Sequence, residues 1–482
     1  MSNKISTLFL LLALGLWGCK ENELTTYKPI PELSIAALPA NSFTVAQKEN
    51  LKIIPDINGL EQGKEYQYEW KLFDDGAENI LSTDKDLDVG VNFPAGKTYS
   101  FVFSVKDVST GIKAISPLYS LDVTGAFPQG WLVGNNVGNK GQMSFIRTTD
   151  DKVFFQPLED INQTSYTSKL TYVKSGVILD IFGRGFKQLL YFAEDGLRVF
   201  DPETMLQISD NNEYFYDQKR FQSKPGYGTN YYNLDQYLVS EGNLYAANGP
   251  GFAGATDFGK FSDRFEGDYD LFPYVFRDNF LYAYFYDNKN KRFVSTAYNT
   301  RELTYPTSQA GMYKLDAVGK TMVAADYTIG GAFGAYDFIG LMKDDANAYY
   351  VYLFKFYTGL GKGEFYALSN AQEIGQMTAF AGATNSARGY YSSKNKIYKI
   401  SGANGSVEQI YTLKEPGDIV DMQMLRDGDD ADHVLAVAVN NGGQGRVIYV
   451  YLDEFGNVDT NRADKIYTGF GTITNISYRN PS

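Results

Sequence analysis

The sequence predicts an all-β protein, a small antiparallel β-sandwich followed by a β-propeller. Three observations predict it. The 482 residues include 38 tyrosines, 33 phenylalanines and 47 glycines, which suits many short strands joined by tight turns. Apolar residues alternate with polar ones at period two from about Leu33 to Thr124, and no stretch after Gly125 sustains a period of 3.6 over three turns. Beyond Gly125, strand-like clusters recur at a spacing of about fifty residues, within the range of four-stranded propeller blades.

Residues 1–18 read as a secretory leader. Lys4 supplies the positive end, and the apolar run Ile5–Leu16 is shorter than the roughly 20 residues that cross a bilayer. Leu16-Trp17-Gly18-Cys19 resembles the lipobox of bacterial lipoproteins, with Trp17 in place of the usual small residue. The resemblance implies that Cys19, the only cysteine in the chain, is the lipid attachment site, and with no second cysteine there is no internal disulfide. Lys20-Glu21-Asn22-Glu23 resembles the tag that sends lipoproteins of the Bacteroidetes to the outward face of the outer membrane. Residues 19–32 are polar and carry Pro29 and Pro31, as a tether would.

Residues 33–124 give the predicted sandwich. Tyr66, Tyr68, Trp70 and Leu72 share one face of an alternating strand, with Trp70 expected in the core and Asp74-Asp75-Gly76 as the following turn. A second strand carries Tyr99, Phe101, Phe103 and Val105 on the face expected to oppose Trp70. A Tyr-x-Trp strand before an Asp/Gly turn, and a Gly-x-Tyr strand ending at Asp107, resemble the polycystic-kidney-disease (PKD) type of immunoglobulin-like domain. Such domains commonly act as spacers.

Residues 125–482 give the predicted propeller. Its clusters begin near Trp131, Val177, Tyr237, Tyr274, Thr321, Gly389 and Ile419. Most are followed by a second aromatic strand, at Leu189–Phe192, Asn243–Ala246, Phe280–Tyr284, Lys396–Ile400 and Val447–Tyr451, and each pair is read as the inner strands of a blade. Seven blades are expected, with six or eight as alternatives. The succession of lipobox, PKD-like module and propeller-like remainder resembles the PKD-like family of Bacteroidetes surface lipoproteins. That resemblance implies a partner, a SusC/SusD-type uptake complex, and the capture of an extracellular glycan or peptide.

Composition narrows the chemistry. A net charge of -13 argues against nucleic acid, whose binding needs clustered Lys and Arg. His433 is the only histidine, which excludes a His-rich metal site, and no Gly-x-Ser-x-Gly elbow offers it a triad. It is expected to cap an exposed hairpin. Among 57 acidic residues a glycosidase pair can arise by chance, so carboxylate chemistry keeps a glycoside hydrolase or lyase as the alternative function. Asp427, Asp429, Asp430 and Asp432 are dense enough in oxygen to suggest Ca²⁺, but their spacing is not that of a calcium loop and a solvated turn is the favoured reading. No other cofactor is expected.

The stretch Tyr227–Asp270 is the candidate ligand site, through Tyr227, Tyr231, Phe252, Phe258, Asp263, Phe265 and Tyr269. Aromatic plates beside flexible glycines and charges suit stacking on sugars or gripping peptides. The competing reading places these rings in the blade cores. A second aromatic-glycine stretch, Tyr327–Tyr336, carries the same two readings. The expected function is a non-catalytic surface lipoprotein that binds a nutrient or its transporter; a purely architectural docking role would instead gather exposed aromatics into one flat patch.

Overall fold

The computed structural model describes residues 32–38, 40–179, 185–230, 234–247, 260–277, 281–307, 309–310, 312–328, 337–356 and 362–480. Cys19, the leader and the tether residues 20–31 lie outside the described residues. No helix among those described is long and apolar enough to cross a membrane. Strands dominate, with two short α-helices, Pro157–Asn162 and Asn211–Tyr214, and one 3-10 turn, Ile374–Gln376, among the described residues. The chain divides into two compact units, the first ending at Ala126 and the second running Phe127–Ser482.

The first unit is a sandwich. Strands Ser42–Ala46, Tyr119–Thr124, Lys97–Asp107, Tyr66–Asp74 and Ala77–Ser82 lie side by side in that order, the first two parallel and the rest antiparallel. The smaller ribbon of Asn50–Ile53 and Leu87–Gly90 contributes Leu51, Ile53 and Leu87 to the same core as Trp70, Phe101 and Phe103. Trp70 is fully buried, and its indole N–H is shared between the carbonyls of Asp84 (3.1 Å) and Lys85 (3.2 Å). The aromatic strand expected to oppose Trp70 instead pairs beside it in the same sheet. Trp70 and Phe103 are in register, with ring centres 4.3 Å apart, and the opposing layer is aliphatic. Asp107 ends this strand by accepting bonds from the Ser109 hydroxyl (2.6 Å) and the amides of Ser109 and Thr110. The Ser109 hydroxyl leads in holding its carboxyl well below the usual carboxylate range.

The second unit is a propeller. Among the described residues seven antiparallel sheets of three or four strands follow one another, with innermost strands Thr472–Arg479, Leu170–Leu179, Gly226–Thr229, Phe276–Arg277, Thr321–Tyr327, Met377–Gly382 and Asp418–Met424, and a two-stranded ribbon, Gln309–Ala310 with Tyr313–Lys314, lies between the fourth and fifth. The ring is closed by non-local pairing: the last strand, Thr472–Arg479, joins the sheet that Gly130–Val137 begins. Trp131 and Tyr478 meet edge to face at 4.9 Å across that seam, and the buried Arg479 guanidinium donates to the Phe127 carbonyl. Two blades show three regular strands; in the third, Ser262 and Phe265 bond to Ala246 and Leu244 where a fourth strand would lie.

Each predicted cluster falls in a different sheet, but not at one position within it. Val177, Tyr274, Thr321 and Ile419 belong to or immediately precede innermost strands, whereas Trp131, Tyr237 and Gly389 lie on second strands. The pairs read as inner strands are therefore first and second strands in some blades, second and third in others, and first and third in the blade of Ile419 and Val447–Tyr451. Second strands are packed on both faces, as Val434–Asn441 is, so they read as continuous apolar runs.

Asparagines stitch neighbouring blades. Asn136, Asn288 and Asn440 each stand at the end of a second strand and bond both the N–H and C=O of one residue on the next innermost strand. Their partners are Leu170 (2.8 and 2.9 Å), Met322 (2.8 and 3.2 Å) and Ile473 (2.8 and 2.9 Å). Asn475 holds Val173 in the same way at 2.9 Å in each direction. Glycine permits the close approach at the hub. A Cβ on Gly226 would lie 2.3 Å from the Pro273 carbonyl carbon, and one on Gly382 2.3 Å from the Tyr327 carbonyl oxygen.

Candidate functional site

Residues from or just before all seven innermost strands surround a cavity of about 450 Å³. Because side chains alternate along a strand, Tyr172 and Lys174 enter it together while Val173, between them, is fully buried among the blades. Tyr227, Phe272, Tyr274 and Phe380 add rings to the wall. Its volume falls within the range of small-molecule sites.

Five charged side chains line the cavity, and four are paired across blades. Arg426 donates to Asp326 at 2.7 Å, and the same carboxylate accepts the amides of Tyr327 and Gly382, each at 2.8 Å. Lys224 reaches Asp421 at 3.4 Å, and Asp421 also accepts the Ile476 amide at 2.9 Å. The Lys224 amine lies 5.2 Å from the centre of the Tyr172 ring, and the Arg426 guanidinium 5.3 Å from that of Tyr327. Partial desolvation pulls the Lys224 amine down, although its side chain is 52% exposed, and the Asp421 carboxylate more than restores it, leaving the amine above its ordinary value. Arg426 follows the same balance against Asp326. Burial holds the phenols of Tyr227 and Tyr274 far above their usual range, so both remain neutral hydroxyls.

The ligand candidates read from sequence separate. Tyr227 lines the cavity, its hydroxyl bonded to Gln236 at 2.8 Å. Phe265 and Tyr269 do not: they are 2% and 9% exposed and pack with Tyr237, Leu244 and Phe285 between blades, which corrects the ligand reading in favour of the core. Burying such rings removes more apolar area from water than leaving them at a rim. Phe261 packs likewise against Phe215, stacked at 5.2 Å. Asp263 is exposed and outside the cavity, while Tyr231, Phe252 and Phe258 lie outside the described residues. Of the second aromatic stretch, Tyr327 is described, edge to face with Phe338 at 6.1 Å, and residues 329–336 lie outside the described set.

The acidic run does not gather as a calcium site would. Asp430 is held by both terminal nitrogens of Arg462 (2.7 and 2.9 Å), whereas Asp432 turns to the amides of Thr384 (2.6 Å) and Asn385 (2.7 Å). Asp429 is exposed and Asp427 half-buried, and among the described residues no group of three or more His, Cys, Asp or Glu side chains could hold a metal ion. These contacts correct the calcium reading of Asp427, Asp429, Asp430 and Asp432 to that of a turn anchored by ion pair and backbone. His433 is half-buried, with its Nδ1 3.0 Å from the Leu452 carbonyl.

Sequence reasoning missed Lys174, Lys224, Asp326, Asp421 and Arg426. A signal existed for the carboxylates: Asp421 interrupts Ile419-Val420-Asp421-Met422, and Asp326 follows Val323-Ala324-Ala325, a charge set inside an otherwise apolar strand.

Residues 24–171 match the PKD-like family. The match takes in the sandwich and three of the four strands of the first propeller sheet, under a third of the chain. No curated protein matches the sequence. Among solved structures, similar chains include one from the mitotic checkpoint complex, at 11% identity and a TM-score of 0.38, covering 61% of this chain and 78% of that one. The extracellular domain of a one-component system from B. thetaiotaomicron is 12% identical with a TM-score of 0.32, and the alignment covers 63% of this chain but 38% of that one. An apocarotenoid oxygenase from Synechocystis is 9% identical with a TM-score of 0.38, over 90% of this chain and 97% of that one. None is similar enough to carry an activity across.

Proposed function

We propose that this chain is a non-catalytic cell-surface lipoprotein whose propeller binds an extracellular glycan or peptide in its central cavity, as an accessory of a SusC/SusD-type uptake system. In this reading acylated Cys19 anchors it in the outer membrane, facing outward, and the PKD-like sandwich holds the propeller away from the lipid. The observation that carries the proposal is the hub cavity itself, with aromatic walls and polar groups presented by seven strands. Its two carboxylates, Asp326 and Asp421, each already accept a cation and a backbone amide, an arrangement suited to holding shape.

A glycoside hydrolase needs two carboxylic groups across a cleft, one of them protonated near neutral pH. Burial raises Glu159 to about 7 and Asp337 to about 6, but neither lines the cavity. The test is recovery of the tagged protein from the membrane of its source cell. The expected result is an acylated amino terminus at Cys19, a co-purifying transporter and a bound solute. An unacylated terminus, or cleavage of added polysaccharide, would contradict the proposal.

A further inference from the structure

Among the described residues the cavity is lined by more cations than anions, in a chain whose overall balance is -13. Lys174, Lys224 and Arg426 stand against Asp326 and Asp421. Four of these neutralise one another in the two ion pairs, which leaves Lys174. Among the described residues its amine has no carboxylate or hydrogen-bonding partner, although it is half-buried at the cavity wall. A second donor is also open: the Nε–H of Arg426 is buried and, among the described residues, makes no hydrogen bond, while a terminal nitrogen of the same guanidinium is taken by Asp326. A buried donor left unpaired costs about 1–3 kcal/mol, and a ligand acceptor removes that cost.

We infer that the central cavity selects a small solute bearing one carboxylate, which sets its charge against Lys174 while its body lies along Tyr172, Tyr227 and Tyr274. One surplus cation matches a monoanion, and a phosphate dianion would leave a negative charge uncompensated. The inference rests on the reading of the propeller as a binding module and deepens it by naming the ligand chemistry. Two sources supply that chemistry, an acidic sugar and the C-terminus of a short peptide.

The test is calorimetric titration of the full chain with two matched pairs: glucuronate against glucose, and N-acetyl-dialanine against its amide. The acid of one pair is expected to bind about ten-fold or more tighter than its neutral counterpart, and the pair that responds identifies the source. Lys174→Met abolishes that difference and leaves the melting temperature unchanged, because among the described residues the Lys174 amine has no hydrogen bond or ion pair to lose. Equal binding of acid and neutral forms, or discrimination that survives in Lys174→Met, overturns the inference and leaves the binding function standing. Failure of all four probes to bind overturns both.

Discussion

At the scale of single residues, burial decides what each conspicuous side chain does. Trp70 fills the sandwich core and satisfies its indole N–H on two carbonyls, so Trp70→Ala removes packing and leaves those acceptors in a cavity. Its expected cost is about 3–5 kcal/mol, read by urea denaturation of the full chain through the transition of the first unit. Glu159 makes a pH-dependent contribution. Its folded value of about 7 lies above the ordinary carboxylate range because burial penalises the charged form. The folded state therefore holds a proton that the unfolded state has released, and stability falls as pH rises from about 4.5 through 7. Glu159→Gln is expected to flatten that slope, raising the melting temperature at pH 8 and changing it little at pH 4; an unchanged slope would place Glu159 in solvent.

At the scale of elements, the asparagine stitches do what blade cores alone do not, fixing the height of one sheet against the next. Asn288 satisfies both polar groups of Met322, so Asn288→Ala orphans a donor and an acceptor at a blade junction. A loss of about 1–3 kcal/mol is expected in the urea transition of the second unit, and Asn440→Ala should match it at the seam with Ile473. The elements also show how far the sequence could be read. Their type was legible because period two marks residues 33–124 and strand-like clusters recur beyond Gly125, and the sandwich strands around Trp70 and Phe103 lie where that pattern put them. Rank within a blade was not legible. A second strand such as Val434–Asn441 is apolar on both faces, and an innermost strand such as Asp418–Met424 is mostly apolar past its exposed first residue, broken by Asp421 and Gln423 at the hub, so hydrophobic pattern alone cannot order them. The cavity was legible only through Tyr227, since Lys224 and Arg426 flank strands and reach the hub by their long side chains.

At the scale of the whole molecule, the second unit closes through residues far apart in sequence. Thr472–Arg479 supplies the innermost strand of the first sheet and carries Asn475, Ile476 and Tyr478 into contacts with strands at Val173, Asp421 and Trp131. Removal of residues 472–482 is therefore expected to abolish the cooperative unfolding of the propeller while leaving the transition of the sandwich, whose core is its own, in place. Circular dichroism melts of the truncated and full chains distinguish this from an edge strand that merely decorates the ring. The same closure makes the hub a rigid container, and the central claim is that it holds the ligand. The most direct measurement is native mass spectrometry of the protein recovered from its source cell, beside the cavity-filling variant Ala325→Trp. The account predicts one small solute per chain in the native protein and none in a variant that still folds; equal retention by both would contradict it.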